Sequence, residues 1–155
     1  MKLLAQYTIP LNPRPKKNEH RIGGSGPKCP VCKKYKKQFV RNGSKTTEFA
    51  FQAARFLQPR PAKPIPGPVR LIYRCFRETK HRVDDLNLYE ALDDLLVKEG
   101  ILADDNINIV RSRDGSRCFY DKDNPRAEIY IFEYDEEEDR ERNKDIYGGP
   151  VSGAE

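Results

Sequence analysis

Two pairs of aspartates have the residue type and spacing best suited to chemistry in this chain. Asp84–Asp85 stands just before a stretch with helical apolar spacing, and Asp104–Asp105 stands just after it. Carboxylates bind Mg²⁺, usually a few of them together with water, and metal held in this way activates the water that cleaves a phosphodiester. Aspartates also cap helices and populate turns, which explains each of them taken alone. The two pairs together indicate metal-dependent cleavage of phosphodiesters.

A basic segment precedes the acidic pairs. Between Arg14 and Lys45 the chain has eleven lysines and arginines, opposed only by Glu19, within a formal net charge of +5. Such a block attracts polyanions, and a solvated loop has the same composition. The candidates for binding nucleic-acid phosphates are Lys16, Lys17, Arg21, Lys33, Lys34, Lys36 and Lys37.

The same segment contains a Cys-x-x-Cys motif, Cys29 and Cys32. Two thiolates at this spacing reach one Zn²⁺, whereas a structural zinc site needs four ligands and the chain has no second motif of this kind. A dimer that pairs two such motifs, or His20, would complete the site; alternatively, both residues are unliganded surface thiols. Cys75, on an apolar strand, and Cys118, in an apolar loop patch, are expected to be core residues.

Composition restricts the class of protein. With 155 residues, of which 37% are hydrophobic and 34% charged, the chain has the material for one domain with a small core. No apolar run approaches the roughly 18 residues that span a membrane, and the N-terminal stretch is too polar for a secretory signal. We therefore expect an intracellular protein whose cysteines are reduced.

Hydrophobic periodicity predicts the elements that must position these residues. Strands are expected at 2–9, 69–76, 107–111 and 127–134. Helices are expected from Thr46 or Thr47 to about 57, and over 85–98 with Gly100 as the C-terminal cap. The prolines of 58–68 predict a linker, and 114–125 is expected to be a loop. The prediction is an α+β domain over residues 1–134, sandwich-like, with a small mixed sheet, two helices and a basic insertion at about 23–45. Residues 135–155 are predicted to be a disordered acidic tail.

The stretch RVDDLNLYEALDDLLVKEGILADDNINIV (82–110) resembles the core signature of the RusA-like Holliday junction resolvases. That signature reads approximately as D-x-D-N, a lysine, A-x-x-D, a glycine, and a D-D pair before a strand. The matching positions are Asp84, Asn87, Ala91, Asp94, Gly100, Asp104 and Asp105. Segments 10–22 and 124–132 are similar to the family's Pro-rich basic opening and to its closing Asn-Pro-Arg strand, so the resemblance spans roughly residues 2–134.

The resemblance implies a compact, RusA-like α/β homodimer that cleaves four-way DNA junctions by paired nicks in recombination and repair. It implies Mg²⁺ as the cofactor, with Mn²⁺ able to substitute, and Asp84, Asp104 and Asp105 as its ligands. Because phages use such enzymes, we expect a phage or prophage type that acts on DNA in the cytoplasm of a bacterial host, with no membrane partner.

Two positions depart from the family's signature. Leu86 stands where the family has its second Asp, and Glu90 stands where it has a catalytic Lys. Three explanations are open: the chain is a binding-only homologue, Asp85 replaces the lost carboxylate after a local shift, or Glu90 supplies it from one helical turn further on. The catalytic candidates are Asp84, Asp85, Glu90 and Asp105. The alternatives to an endonuclease are a catalytically degenerate junction-binding protein and a basic zinc-knuckle module that binds RNA or DNA.

Overall fold

The computed structural model describes residues 2–16, 21–41 and 44–147 and folds them into an α+β arrangement, which confirms the predicted class at this level. The strands are β1 (Leu3–Ile9), β2 (Arg21–Lys28), β3 (Tyr35–Arg41), β4 (Val69–Arg77), β5 (Val110–Ser112), β6 (Arg117–Tyr120) and β7 (Arg126–Glu133). The helices are α1 (Ser44–Ala53), α2 (Asp85–Lys98), α3 (Glu136–Arg142) and α4 (Lys144–Tyr147), and a 3₁₀ turn at Ala54–Phe56 follows α1. Within these ranges no helix has the length and apolar character needed to cross a membrane.

The main sheet is mixed, with β4 near its centre. Its order is β1-β7-β4-β5, and β6 also pairs with β4. β7 is antiparallel to β1 and β4, whereas β5 and β6 run parallel to β4. β5 pairs with the start of β4 at Val69, and β6 pairs with its end from Arg74 to Arg77. Between these two stretches the backbone N–H of Tyr73 donates to the hydroxyl of Ser116 at 3.0 Å.

The hydrophobic core includes one face of this sheet and the apolar stripe of α2. Leu71, Tyr73 and Cys75 alternate along β4 and are fully buried, as are two isoleucines of β7. The rings of Tyr73 and Tyr89 stack with their centroids 5.6 Å apart. Four buried leucines of α2 belong to the same cluster: Leu88, Leu92, Leu95 and Leu96. Since each such side chain contributes roughly 1.5–3 kcal/mol on burial, this packing fixes α2 relative to the sheet.

Helix α2 has the bounds that the sequence predicts. Asp84 is its N-cap, and the carboxylate accepts the backbone N–H of Leu86 at 3.1 Å. Gly100 ends the helix with a φ of +70°, a conformation that glycine adopts without the steric cost of a Cβ. The two acidic pairs therefore flank a helix of 14 residues.

The chain doubles back after α2 along the proline-rich linker. The backbone N–H of Ile65 donates to the carbonyl of Ile101 at 2.8 Å, and that of Ala103 donates to the carbonyl of Ile65 at 3.0 Å. Gly67 allows the linker to approach closely, because a Cβ there would lie 2.7 Å from the Cα of Ile109. This pairing carries Asp105 back to the side of α2, where it shares a groove with residues of the helix.

Residues 21–41 form a β-hairpin where the sequence predicts a basic insertion. β2 and β3 pair only with each other, in an antiparallel two-stranded sheet separate from the main one. The register joins Arg21 to Arg41 at the base and Lys28 to Tyr35 near the tip. The Cys-x-x-Cys motif occupies the tip itself.

The strand predicted at 107–111 begins only at Val110, because residues 107–109 form a turn in which the N–H groups of Ile109 and Val110 donate to the carbonyl of Asn106. Three further features differ from the predictions. Helix α1 begins at Ser44, so Thr46 lies inside the helix, where its hydroxyl donates to the carbonyl of Pro15 at 3.2 Å instead of capping. The expected loop 114–125 contains β6, because its backbone pairs in parallel with β4. Most of residues 136–147 is helical, in α3 and α4, where disorder is predicted. Asp135 caps α3, and Asp139 is buried against Tyr134, whose hydroxyl donates to it at 3.3 Å. The rest of the predicted tail, 148–155, lies outside the described residues.

Candidate functional site

A groove of about 380 Å³ runs between α2 and the segment that contains α1. Asp94, Ala91 and Lys98 line it from α2, Asp105 lines it from the returning chain, and Lys16 lines it from the N-terminal basic segment. Residues from three separate parts of the sequence therefore meet on one face of α2, with carboxylates and ammonium groups side by side.

Lys16 is held against α2 by two carboxylates. Its Nζ lies 2.5 Å from Oδ2 of Asp94 and 3.5 Å from Oε1 of Glu90. Its backbone N–H donates to the carbonyl of Asn87 at 3.2 Å. The hydrogen bond to Asp94 raises the pKa of Lys16 above its ordinary value, with the charges of both acids acting in the same direction. Lys16 is thus a positioned cation on the exposed face of α2.

Glu90 and Asp94 are therefore engaged in holding a lysine. They lie four residues apart on α2 and share one face with Leu86, one turn further toward the helix start. Leu86 is 67% exposed, so the position where the family's signature has its second Asp carries an apolar side chain in solvent. The expected role of Glu90 as a replacement metal ligand competes with its ion pair to Lys16.

Asp104 and Asp105 lie in a turn after α2. The carboxylate of Asp104 accepts the backbone N–H of Asp105 and the side-chain amide of Asn106, both at 2.7 Å. The hydrogen bond from Asn106 is the main cause of the lowered pKa of Asp104. The turn uses both oxygens of Asp104 and leaves Asp105 to line the groove.

Asp84 and Asp85 lie at the other end of α2 and do not line the groove. Both carboxylates accept the backbone N–H of Leu86, at 3.1 and 3.0 Å. Ten residues separate Asp84 from Asp94, about 15 Å along a helix axis. Within the described ranges, no three His, Cys, Asp or Glu side chains are grouped so that they could hold a metal ion. The structure thus brings Asp105 to the α2 face and leaves Asp84 at its start.

A buried acid beside the groove was not among the sequence candidates. Asp93 is 4% exposed and accepts hydrogen bonds from the Tyr73 hydroxyl at 2.5 Å and from Arg113 Nη2 at 2.7 Å. Burial raises the pKa of Asp93, and the hydrogen bond from Tyr73 and the charge of Arg113 oppose this shift. The network ties α2 to β4 and to the segment after β5. The sequence does contain a signal for a buried acid, because Asp93 and Asp94 are adjacent on a helix and point in different directions. Asp93 flanks the apolar stripe and is the one that faces the interior.

The predicted phosphate-binding residues fall into two groups. Lys16 lies in the groove, and Lys33, Lys34 and Lys37 are exposed on the hairpin. Lys17 lies outside the described residues, and only the backbone is described at Arg21 and Lys36.

The two remaining cysteines pair across the main sheet. Cys75 of β4 and Cys118 of β6 are register partners; Cys75 is buried as predicted, whereas Cys118 is exposed. The prediction for Cys118 is wrong because β6 is a four-residue edge strand whose residues are all exposed. Hydrogen bonds from the Cys75 thiol and, less strongly, from the Tyr89 hydroxyl lower the pKa of Cys118 to about 7. These sulfurs are partners of each other and lie apart from the hairpin.

Comparisons with known proteins assign no family. No protein-family model matches the chain, and no curated protein sequence matches it.

Proposed function

We propose that this chain is a Mg²⁺-dependent endodeoxyribonuclease that cleaves four-way DNA junctions, of the RusA-like kind, and that it acts as a homodimer in recombination or repair. The observation that carries the proposal is the position of Lys16 against Glu90 and Asp94, on a face of α2 flanked by Asp84 and Asp105. Carboxylates that bind metal and lysines that bind phosphate are the two requirements for hydrolysing a DNA backbone.

The position of Lys16 also explains how the site could work with Glu90 in place of a lysine. The RusA-like signature has a lysine where this chain has Glu90. Here Glu90 and Asp94 hold the ammonium group of Lys16 on the same face. The exchange of a lysine for a glutamate on α2 is thus compensated by a lysine from the N-terminal segment. In the proposed site Lys16 contacts a phosphate oxygen, and Glu90 orients Lys16.

Asp84 and Asp105 are the carboxylates proposed to bind Mg²⁺, with Asp104 as a supporting residue. Neither Asp84 nor Asp105 has an ion pair with a described lysine or arginine. Because Asp84 and Asp105 lie at opposite ends of α2, each would bind Mg²⁺ together with substrate phosphates and water, as single carboxylates commonly do, rather than in one all-protein cage. When bound, Mg²⁺ would polarise the scissile phosphate and lower the pKa of the attacking water.

The test is incubation of a synthetic four-way junction with the protein, with and without Mg²⁺, beside a linear duplex that has the sequence of one arm. The proposal expects paired nicks in the junction only when Mg²⁺ or Mn²⁺ is present, and no comparable cleavage of the duplex. Equal cleavage or equal binding of both DNAs would contradict junction selectivity.

A second candidate is a junction-binding protein without catalytic activity. The exposed Leu86 favours it, because the position of the family's second Asp offers no ligand to a metal. Binding of the junction with no cleavage in either Mg²⁺ or Mn²⁺ would support this candidate over the first.

A further inference from the structure

The tip of the β2–β3 hairpin is shaped like a metal-binding knuckle. The backbone N–H of Cys29 donates to the carbonyl of Lys34 at 2.8 Å, and the N–H of Lys33 donates to the carbonyl of Cys29 at 2.9 Å. Lys33 has a φ of +57°, the left-handed conformation that a non-glycine residue rarely adopts. This tight turn brings the ends of Cys-x-x-Cys together.

The turn also directs hydrogen-bond donors at one sulfur. The backbone N–H groups of Cys32 and Val31 point at the Sγ of Cys29, and the Cys32 thiol does so as well. The two sulfurs therefore lie side by side at the tip of the hairpin.

Packing does not account for this arrangement. Cys32 is exposed and Val31 is 88% exposed. An isolated two-stranded hairpin is only marginally stable in water. A metal at the tip would supply folding free energy to such an element, as structural zinc does in small domains.

The knuckle holds two ligands, and a structural Zn²⁺ site needs four. The described residues offer no third His, Cys, Asp or Glu beside it. Cys75 and Cys118 are engaged with each other across β4 and β6. Arg21 lies at the base of the hairpin, seven residues before Lys28 near the tip. At roughly 3.3 Å per residue this is about 23 Å, so the start of β2 is far from the two cysteines. His20, the other ligand considered from sequence, lies outside the described residues.

We propose that two copies of this chain share one Zn²⁺ at their hairpin tips, each supplying Cys29 and Cys32. A two-fold axis through the metal makes the contact self-complementary, the usual symmetry of homodimers. Four thiolates around Zn²⁺ leave a net charge of −2, and Lys33 and Lys34 of each copy lie next to the metal ligands to offset it. A neutral or acidic tip would lack this compensation.

The first test measures metal content and molar mass together, on the full chain, before and after chelation and after addition of ZnCl₂. The proposal expects one Zn²⁺ per two chains and a molar mass in the zinc form twice that of the chelated form. Substituted Co²⁺ should give the sulfur-to-metal charge-transfer absorption of a thiolate site. One Zn²⁺ per chain without a change of mass, or no bound Zn²⁺, would overturn it.

Variants locate the site. Cys29→Ser and Cys32→Ser should each lose zinc and the doubled mass, whereas Cys118→Ser, the matched control at an exposed thiol elsewhere, should keep both. Cys32→His retains a zinc donor and should keep bound zinc, which would show that Cys32→Ser fails because it lacks a ligand and not because it fails to fold. Retention of zinc by both serine variants would contradict the assignment. None of these measurements uses DNA cleavage, so the result is independent of the proposed nuclease activity.

Discussion

The acidic residues around α2 belong to two regions that differ in how their charge is balanced. Glu90 and Asp94, in the middle of the helix face, are both ion-paired with Lys16. Asp84 and Asp105, which flank that face, make hydrogen bonds to the backbone or line the groove and have no described cationic partner. In the proposed function, the first pair therefore orients a lysine, whereas the second pair binds the metal ion.

The largest expected effect is at the flanking pair. Asp105→Asn and Asp84→Asn should each lower junction cleavage by about 100-fold or more, because loss of a metal-binding carboxylate removes several kcal/mol of transition-state stabilisation. Asparagine is as good an N-cap as aspartate, so Asp84→Asn should not lower the melting temperature. Single-turnover cleavage rates measure the effect, and Asp123→Asn, at an exposed aspartate that does not line the groove, is the control. Wild-type rates in either variant would remove that residue from the site.

The next effect concerns stability and separates two neighbours in the sequence. Asp93→Asn should lower the free energy of unfolding by about 1–3 kcal/mol, because Arg113 loses a buried charged acceptor. Asp94→Asn should change it by less than about 1 kcal/mol, because its ion pair with Lys16 is solvent-exposed. Urea unfolding followed by circular dichroism measures both. Equal losses would show that Asp94 is a structural residue as well.

The smallest effects distinguish Lys16 from its partner Glu90. Lys16→Met should lower cleavage about tenfold, because a cation that contacts the phosphate is lost. Glu90→Gln should lower it less than about threefold, since Asp94 still holds Lys16 at 2.5 Å. Cleavage rates at saturating Mg²⁺ provide the comparison. A loss in Glu90→Gln as severe as in Asp105→Asn would contradict the orienting role and support Glu90 as a metal ligand.

Local patterns predicted the main elements well. The bounds of α2 follow from an N-cap aspartate, an apolar stripe and a terminal glycine within 17 residues of sequence, and the alternation in β4 and β7 marks their buried faces. Each of these signals depends on residues close together in the chain. The position of β6 was missed because its four residues are all exposed, so no alternation is present.

The candidate site was only partly predictable, because its geometry depends on distant contacts. Asp104–Asp105 was predicted to stand just after α2, but the pairing of Ile65 with Ile101 and Ala103, which turns the chain back there, has no local signature. The ion pairs of Lys16 with Glu90 and Asp94 join residues more than seventy positions apart. They depend on how the N-terminal segment crosses α2. The sequence therefore identified the acids and did not show which of them a lysine already neutralises.

The edge of the main sheet beyond β4 has a consequence for aggregation. A long, flat edge strand offers a row of unpaired backbone groups that another chain can join. Here that edge is divided between β5, with three residues, and β6, with four. Between them, the backbone N–H of Tyr73 donates a hydrogen bond to the Ser116 hydroxyl. Neither strand is long enough to template a continuous ladder with a second molecule. The sheet is thereby protected against edge-to-edge polymerisation on this side, even at high protein concentrations.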